Sequence, residues 1–279
     1  YNLYAYSYTS SNSKTSRDHW DEYAETVKSK FDTKGLVVEI GSNDGYLIGH
    51  FTEDGTTALG IDTSKAMCEI AESKGVKTIN ALFGKDVGAA VEVAHGPASV
   101  IMANNVFNHS NDPVGFARAV ADLLDNDGVF IFEVPYWGWM VTNGKFPDMV
   151  YHEHPSYFTV KSAQTLLERA GLTIADYELV NYHGQSLRIT ARKGQARTDK
   201  VTKAIREETE QGLFDPWFYV NLQDSLEMSK NEWLAKFYKM LNEDPQAVVI
   251  GVGAAAKANT WLNYYGLNKT VIKCIRSEE

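Results

Sequence analysis

The chain has 279 residues, of which 44% are hydrophobic, 12% aromatic and 23% charged, a composition that supplies a sizeable core and excludes disordered, collagenous and membrane-spanning classes. Lysine and arginine number 27 against 36 aspartate and glutamate, a formal charge of −9, so no general basic footprint for nucleic acid exists and an anionic ligand needs a local basic pocket. At about 100–200 residues per domain, this length predicts two domains of unequal size.

The first 16 residues, rich in Tyr, Ser, Thr and Asn without period, read as an irregular arm whose tyrosines ask for a partner. The arm has no apolar segment of a signal peptide, and its first residue, Tyr1 rather than Met, leads to the expectation of a fragment. From Asp18 to Phe31 the residues Trp20, Tyr23, Ala24, Val27 and Phe31 fall at helical spacing. LVVEIG (36–41), TALGID (57–62), VKTIN (76–80), ASVIMANNVF (98–107) and VFIFEVP (129–135) have strand character, and helical patterns at 64–75, 85–94 and 112–128 separate the later ones. This alternation implies an α/β fold with a parallel, doubly wound sheet covered on both faces. A helix over 161–171 and two closing strands over 172–194 complete it.

Beyond them come helices over 199–213 and 220–243, the longer with Leu226, Trp233, Leu234, Phe237 and Leu241 as its expected buried stripe. QAVVIGVGAAAKANTWLNYYGL (246–267) and TVIKCI (270–275) then read as strand, glycine turn, helix and strand. The expected domains are an arm over 1–17, a first α/β domain over 18–196 and a second, incomplete one over 197–279. One βαβ unit cannot cover both faces of its own sheet, so further C-terminal sequence or support from the first domain is expected. Cys68 and Cys274 show no CxxC or Cys/His spacing, so neither a disulfide framework nor a zinc site is expected, and a reducing cytoplasm fits. No stretch approaches the ~18–20 apolar residues of a membrane span.

EIGSNDGYL (39–47) puts a glycine turn between the first strand and the next helix, where backbone N–H groups can approach a ligand. Asn43 stands where the dinucleotide fingerprint G-x-G-x-x-G requires its second glycine. Glu39, Gly41, Ser42, Asn43 and Gly45 are the candidate cofactor turn, with Asp62 as acceptor of ribose hydroxyl hydrogens. Leu82 and Phe83 after the third strand read either as a surface for a planar ring or as ordinary core. MANNVFNH (102–109) brings Asn104, Asn105 and His109 to the carboxyl edge of the sheet, where ligands bind, although asparagine serves turns equally well.

Tyr151, His152, Glu153 and His154 gather two imidazoles and a carboxylate, equipment for acid-base chemistry or metal ligation. The two histidines are two positions apart and point oppositely on an extended segment, unlike the i, i+4 pair of a helical zinc site, so no metal is expected. Arg188, closing HGQSLR, has a fork suited to phosphate or carboxylate. GVGAAAKANT (251–260) is a second glycine turn with Lys257 and Asn259 in its helix, and it lacks the G-K-[ST] of a triphosphate-hydrolysing loop.

In order, EIGSNDGYL, GIDTS, MANNVFNH, EVP, YHEHPSYF, HGQSLR and GVGAAAKANTWLNYYGL resemble the sugar C-methyltransferases of deoxysugar pathways over most of the chain, and the first is similar to the E-x-G-x-x-x-G of class I methyltransferases. The resemblance implies a class I methyltransferase domain, Rossmann-like, followed by a partial second Rossmann-like domain. It implies S-adenosylmethionine as cofactor and a nucleotide-diphosphate 4-keto-6-deoxysugar as substrate, methylated at C3 through an enolate. By the same resemblance His154 is the general base, Glu153 and Tyr151 assist, and His109 lies near the substrate. Tyr4, Tyr6, His152, Arg188, Lys257 and Asn259 are implied at the sugar nucleotide, and the first glycine turn, Asp62, Leu82, Phe83, Asn104 and Asn105 at the cofactor. The cysteine-rich zinc domain and the C-terminal continuation that the resemblance implies are not found in these residues. Two rivals stand beside it: an NAD-dependent oxidoreductase, favoured by two glycine turns and Asp62 but opposed by Asn43, and a non-catalytic sugar-nucleotide-binding module. Neither nucleic acid nor membrane is expected as a partner.

Overall fold

A computed structural model describes residues 9–52, 56–143, 150–151, 153–182, 184–253 and 256–276. Helix α1 (Lys14–Lys30) starts earlier than the expected Asp18, because Ser13 caps it by accepting the Ser16 N–H at 3.0 Å. Strand β1 (Gly35–Ile40), α2 (Tyr46–Gly49), β2 (Thr56–Asp62), α3 (Lys65–Ser73), β3 (Thr78–Asn80), α4 (Lys85–His95) and β4 (Ala98–Met102) follow in the expected alternation. The helix expected over 112–128 is shorter: α5 (Pro113–Leu123) passes directly into β5 (Leu124–Pro135). Buried Leu124 pairs with Ala98 of β4, and that pairing overrides the helix-ending look of DNDG. Then come α6 (Trp137–Thr142), α7 (Val160–Glu168), β6 (Leu172–Val180), β7 (Ser186–Lys193), α8 (Asp199–Glu210), α9 (Pro216–Glu243), β8 (Val249–Val252), α10 (Ala256–Tyr265) and β9 (Ile272–Arg276).

By compactness the chain divides into Tyr1–Tyr136 with Pro155–Glu207, and Trp137–His154 with Glu208–Glu279. The first unit holds a seven-stranded sheet in the order β3-β2-β1-β4-β5-β7-β6. Strands β1 to β5 pair in parallel, whereas β7 runs antiparallel to both β5 and β6. Period-2 alternation feeds two cores. Val37, Val100, Met102, Val129 and Ile131 face Trp20, Tyr23, Val27, Leu47 and Phe51; Leu36, Val38, Ile101, Phe130 and Phe132 face Phe107, Phe116, Val120, Leu167 and Val201. The strand order reverses between β1 and β4, which opens a crevice at their carboxyl ends.

In the second unit β8 and β9 pair in parallel. The expected stripe of α9 is only half-buried, and α9 has no fully buried residue. Trp233 instead packs at 4.9 Å against each of Phe237 and Trp261 and at 4.8 Å against Tyr265. No helix among the described residues is long and apolar enough to cross a membrane.

Candidate functional site

The first glycine turn occupies the crevice at the switch in strand order. Gly41 N–H donates to the Ile61 carbonyl at 2.7 Å and Gly45 N–H to the Ser42 carbonyl at 2.9 Å, so the turn folds back over the end of β2. Gly41 has φ +71°, and a Cβ there would lie 2.1 Å from Val106 Cγ2, so only glycine lets the loop after β1 meet the loop after β4. Asn43 (φ 51°) and Asn105 (φ 53°) take the left-handed conformation in those same two loops. Positive φ outside glycine is sparsely populated and clusters at functional sites.

Asp62 ends β2 half-buried, with Oδ2 accepting the Asn43 N–H at 2.9 Å and Oδ1 the Ser64 N–H at 2.7 Å. Burial raises its carboxyl above the ordinary range, and the Ser64 and Asn43 N–H groups oppose the rise. Each oxygen keeps lone-pair capacity for a hydroxyl. Beside it, Ala81 N–H donates to the Asp62 carbonyl at 3.0 Å, and Leu82 is 59% exposed while Phe83 turns inward to meet Phe116 edge-on at 5.2 Å. Phe83 therefore supports the core, and Leu82 is the apolar side chain left at the surface. At the end of β4, Asn104 Oδ1 accepts the Glu133 N–H at 3.1 Å and Asn105 N–H donates to the Glu133 carbonyl at 2.8 Å. The Asn104 side chain also engages the fully buried Tyr23, whose hydroxyl burial pushes well up and this contact pulls partly back. His109, half-buried, closes the short 3-10 helix that follows.

Two candidates lie deeper than their residue types implied. Glu39 is 6% exposed and sits inside the turn, where Oε2 accepts the Ile48 N–H at 2.9 Å. Arg188 is 9% exposed on β7. Its Nε lies 2.5 Å from Glu133 Oε1, its Nη1 3.6 Å from Glu178 Oε2, and its guanidinium 4.4 Å above the Tyr23 ring. These contacts make Arg188 an internal ion-pair member rather than an open phosphate fork.

Burial pushes the Glu39 carboxyl well above its ordinary range, the Ile48 N–H pulls it down, and the charges of Asp44 and Asp62 push it up again. An acid with a raised pKa holds a proton in the folded chain that the unfolded chain has released, so stability falls as pH rises past the unfolded value of about 4.3. Glu39→Gln keeps an oxygen for Ile48 and removes the ionisation. It is expected to flatten this decline and to be at least as stable as the parent at neutral pH, read from urea midpoints between about pH 5 and pH 8. A variant whose midpoint falls with pH as steeply as the parent's would contradict this account.

In the second unit, the Tyr151 hydroxyl and His154 Nε2 are 3.0 Å apart, with ring centroids at 4.4 Å, and His154 is buried. Glu153 is half-buried between them in sequence. Upstream, Trp137 Nε1 donates to the Tyr219 hydroxyl at 3.0 Å, which donates to the Leu213 carbonyl at 2.8 Å. The second glycine turn has Gly253 at φ +87° after β8, with half-buried Lys257 in the first turn of α10 and Asn259 exposed. Tyr4, Tyr6 and His152 lie outside the described residues. No group of three or more His, Cys, Asp and Glu among the described residues could hold a metal ion.

The residue types singled out from the sequence omit Asp44 and Glu133 as functional groups. Asp44, 1% exposed, accepts hydrogen bonds from Ser10, Ser11 and Lys74, and Glu133, fully buried, binds both Arg188 and His19. Their signal in sequence was only an acid inside SNDG and another inside EVP.

The family profile described as a methyltransferase domain matches residues 15–177, and the one described as a C-methyltransferase C-terminal domain matches 181–279. The C-methyltransferase NovU of Streptomyces niveus is 31% identical over 241 residues, which is 85% of this chain and 57% of that protein. The chain thus spans little more than half the length of that curated relative. Among solved structures, the PH0226 protein of Pyrococcus horikoshii OT3 aligns with a TM-score of 0.52 at 15% identity, covering 67% of this chain and 94% of that one. The magnesium protoporphyrin IX methyltransferase of Synechocystis PCC 6803, solved with bound SAH, gives a TM-score of 0.50 at 14% identity, covering 69% of this chain and 91% of that one. At such identities the likeness concerns the fold. With more than half of its length matched by one family, the chain belongs to the methyltransferase-domain family.

Proposed function

We propose that the chain carries out S-adenosylmethionine-dependent C-methylation, at C3 of a nucleotide-diphosphate 4-keto-6-deoxysugar. The observation that carries this reading is the hydrogen-bonded Tyr151–His154 pair in a chain that also has the glycine turn and Asp62. NovU, a C-methyltransferase by name, supports the reaction class. The residues fit a donor of this kind: Asp62 has acceptor capacity for ribose hydroxyls, and Leu82 offers an exposed apolar surface for a planar base.

A carbon next to a ketone is a weak acid, so the protein must take its proton with a base and stabilise charge on the carbonyl oxygen. In this reading His154 takes the C3 proton, and the Tyr151 hydroxyl on Nε2 selects the tautomer and thus the nitrogen that accepts. The C–H electron pair moves into an enolate, and Glu153, beside the pair in sequence, acts on the polar groups of the substrate. S-adenosylmethionine, which the glycine turn and Asp62 would hold, would supply an electrophilic methyl for C3 and keep the C–S electron pair on its sulfur. Lys257 and Asn259 receive the diphosphate, and Arg188 is left out because Glu133 and Glu178 already engage it.

Calorimetry tests the cofactor. S-adenosylhomocysteine is expected to bind while NADH does not, and Asp62→Ala is expected to weaken that binding by about tenfold or more, or ~1.4 kcal/mol. Binding of NADH with no heat from S-adenosylhomocysteine would favour the oxidoreductase instead.

A further inference from the structure

The segment just before α1 is tied to the turn that, in the reading above, receives the methyl donor. Ser10 N–H donates to Asn43 Oδ1 at 2.9 Å and Ser10 Oγ to Asp44 Oδ1 at 2.7 Å, while Ser11 Oγ donates to Asp44 Oδ2. Lys74 Nζ reaches Asp44 Oδ2 at 3.0 Å and the Asp44 carbonyl at 3.1 Å. From α1, Arg17 Nη1 holds the Ser11 carbonyl at 2.7 Å. Asn43 passes the connection on: its Oδ1 also accepts the Asp44 N–H at 2.9 Å, and its own N–H reaches Asp62 Oδ2 at 2.9 Å. A hydrogen-bonded path thus runs from Ser10 through Asn43 to Asp62, joining segments 33 positions apart in sequence.

We propose that Ser10, Ser11 and Asp44 are positioning residues: they lock this segment onto the donor turn and hold Asn43 and Asp62 for the donor, so that donor binding and locking are one coupled event. The inference rests on the donor-binding role proposed for that turn. Three features support it. Asp44 has its side chain only 2% exposed, and a buried carboxylate persists only with partners; here two hydroxyls and an ammonium supply them. Burial alone would raise its carboxyl, but the Ser11 and Ser10 hydroxyls and Lys74 outweigh this and hold it below the ordinary range. Asn43 is the residue at φ 51°, and its side-chain bonds to both Ser10 and Asp44 hold that uncommon conformation. Any ligand that prefers the locked turn must, by linkage, strengthen the lock by the same factor.

The test uses the 279-residue chain. In the Ser10→Ala, Ser11→Ala double variant, S-adenosylhomocysteine is expected to bind about tenfold more weakly, while the double threonine variant, which restores both hydroxyls, stays within about threefold of the parent. Wild-type binding with an unchanged constant in the alanine variant overturns the lock and leaves the donor reading standing; absence of binding to the wild type removes both. Should the alanine variant fail to fold, hydrogen exchange on the wild type decides. Saturating S-adenosylhomocysteine is expected to slow the amides of 10–17 together with those of 41–46. Protection of 41–46 alone, with 10–17 unchanged, overturns the proposal.

Discussion

Replacing His154 with alanine is expected to lower methyl transfer to a nucleotide-diphosphate 4-keto-6-deoxysugar by about 10²–10⁴, the range a well-placed general base supplies. The affinity for S-adenosylhomocysteine is expected to stay within about threefold, or less than ~1 kcal/mol. The two readouts part because, in the proposed function, proton removal and donor binding fall to different residues: His154, with Tyr151 as its partner at 3.0 Å, takes the proton, and the turn and Asp62 hold the donor. Deuterium exchange isolates the first step. In heavy water with S-adenosylhomocysteine bound, the parent is expected to wash deuterium into C3, and His154→Ala is expected to stop it. Tyr151→Phe keeps the imidazole but loses the bond that selects its tautomer, so exchange there should slow to an intermediate rate. If wash-in proceeds as fast in His154→Ala as in the parent, the base is another group and the assignment fails, even if overall turnover has dropped.

What the sequence made legible follows from the range over which each signal acts. Strands β1, β2, β4 and the inner part of β5 were readable because a buried parallel strand must be apolar along its own few residues. The end of α5 was not: DNDG looks like a helix terminus, and only the distant pairing of Leu124 with Ala98 makes 124–128 a strand. The start of α1 was missed for a local reason, since several Ser and Thr residues compete as caps and Ser13 is the one that reaches Ser16. The glycine turn and Asp62 stood out because their chemistry lies within a short motif. Arg188 looked like a phosphate fork because its partner Glu133 is 55 positions away. Asp44 looked like a turn residue because the serines it holds are 33 and 34 positions away. Periodicity in α9 identified the inward side of Trp233 and Phe237 but not its depth, which depends on what covers the helix.

Replacing Glu133 with alanine is expected to cost about 3–5 kcal/mol, because it leaves the buried charge of Arg188 without its main partner. That is a large share of the roughly 5–15 kcal/mol that hold a typical domain together. Glu133 is fully buried on β5. Its Oε1 takes Arg188 at 2.5 Å from β7, and its Oε2 lies 2.9 Å from His19 Nε2 on α1, whose ring stacks on Tyr182 at 3.9 Å. One carboxylate therefore ties an antiparallel strand and the first helix to the end of β5. Urea unfolding of Glu133→Leu, Arg188→Leu and the double variant separates the charge from the packing. Leucine at both sites removes the stranded cation along with its partner, so the double variant is expected to lose less than Glu133→Leu alone, with coupling of about 0.5–3 kcal/mol. Simple additivity of the two losses would mean that the pair is not what holds these elements. The backbone bonds of residue 133 to Asn104 and Asn105 survive every one of these substitutions. The folded fraction of each variant should therefore bind S-adenosylhomocysteine within about threefold of the parent, which confines the damage to stability.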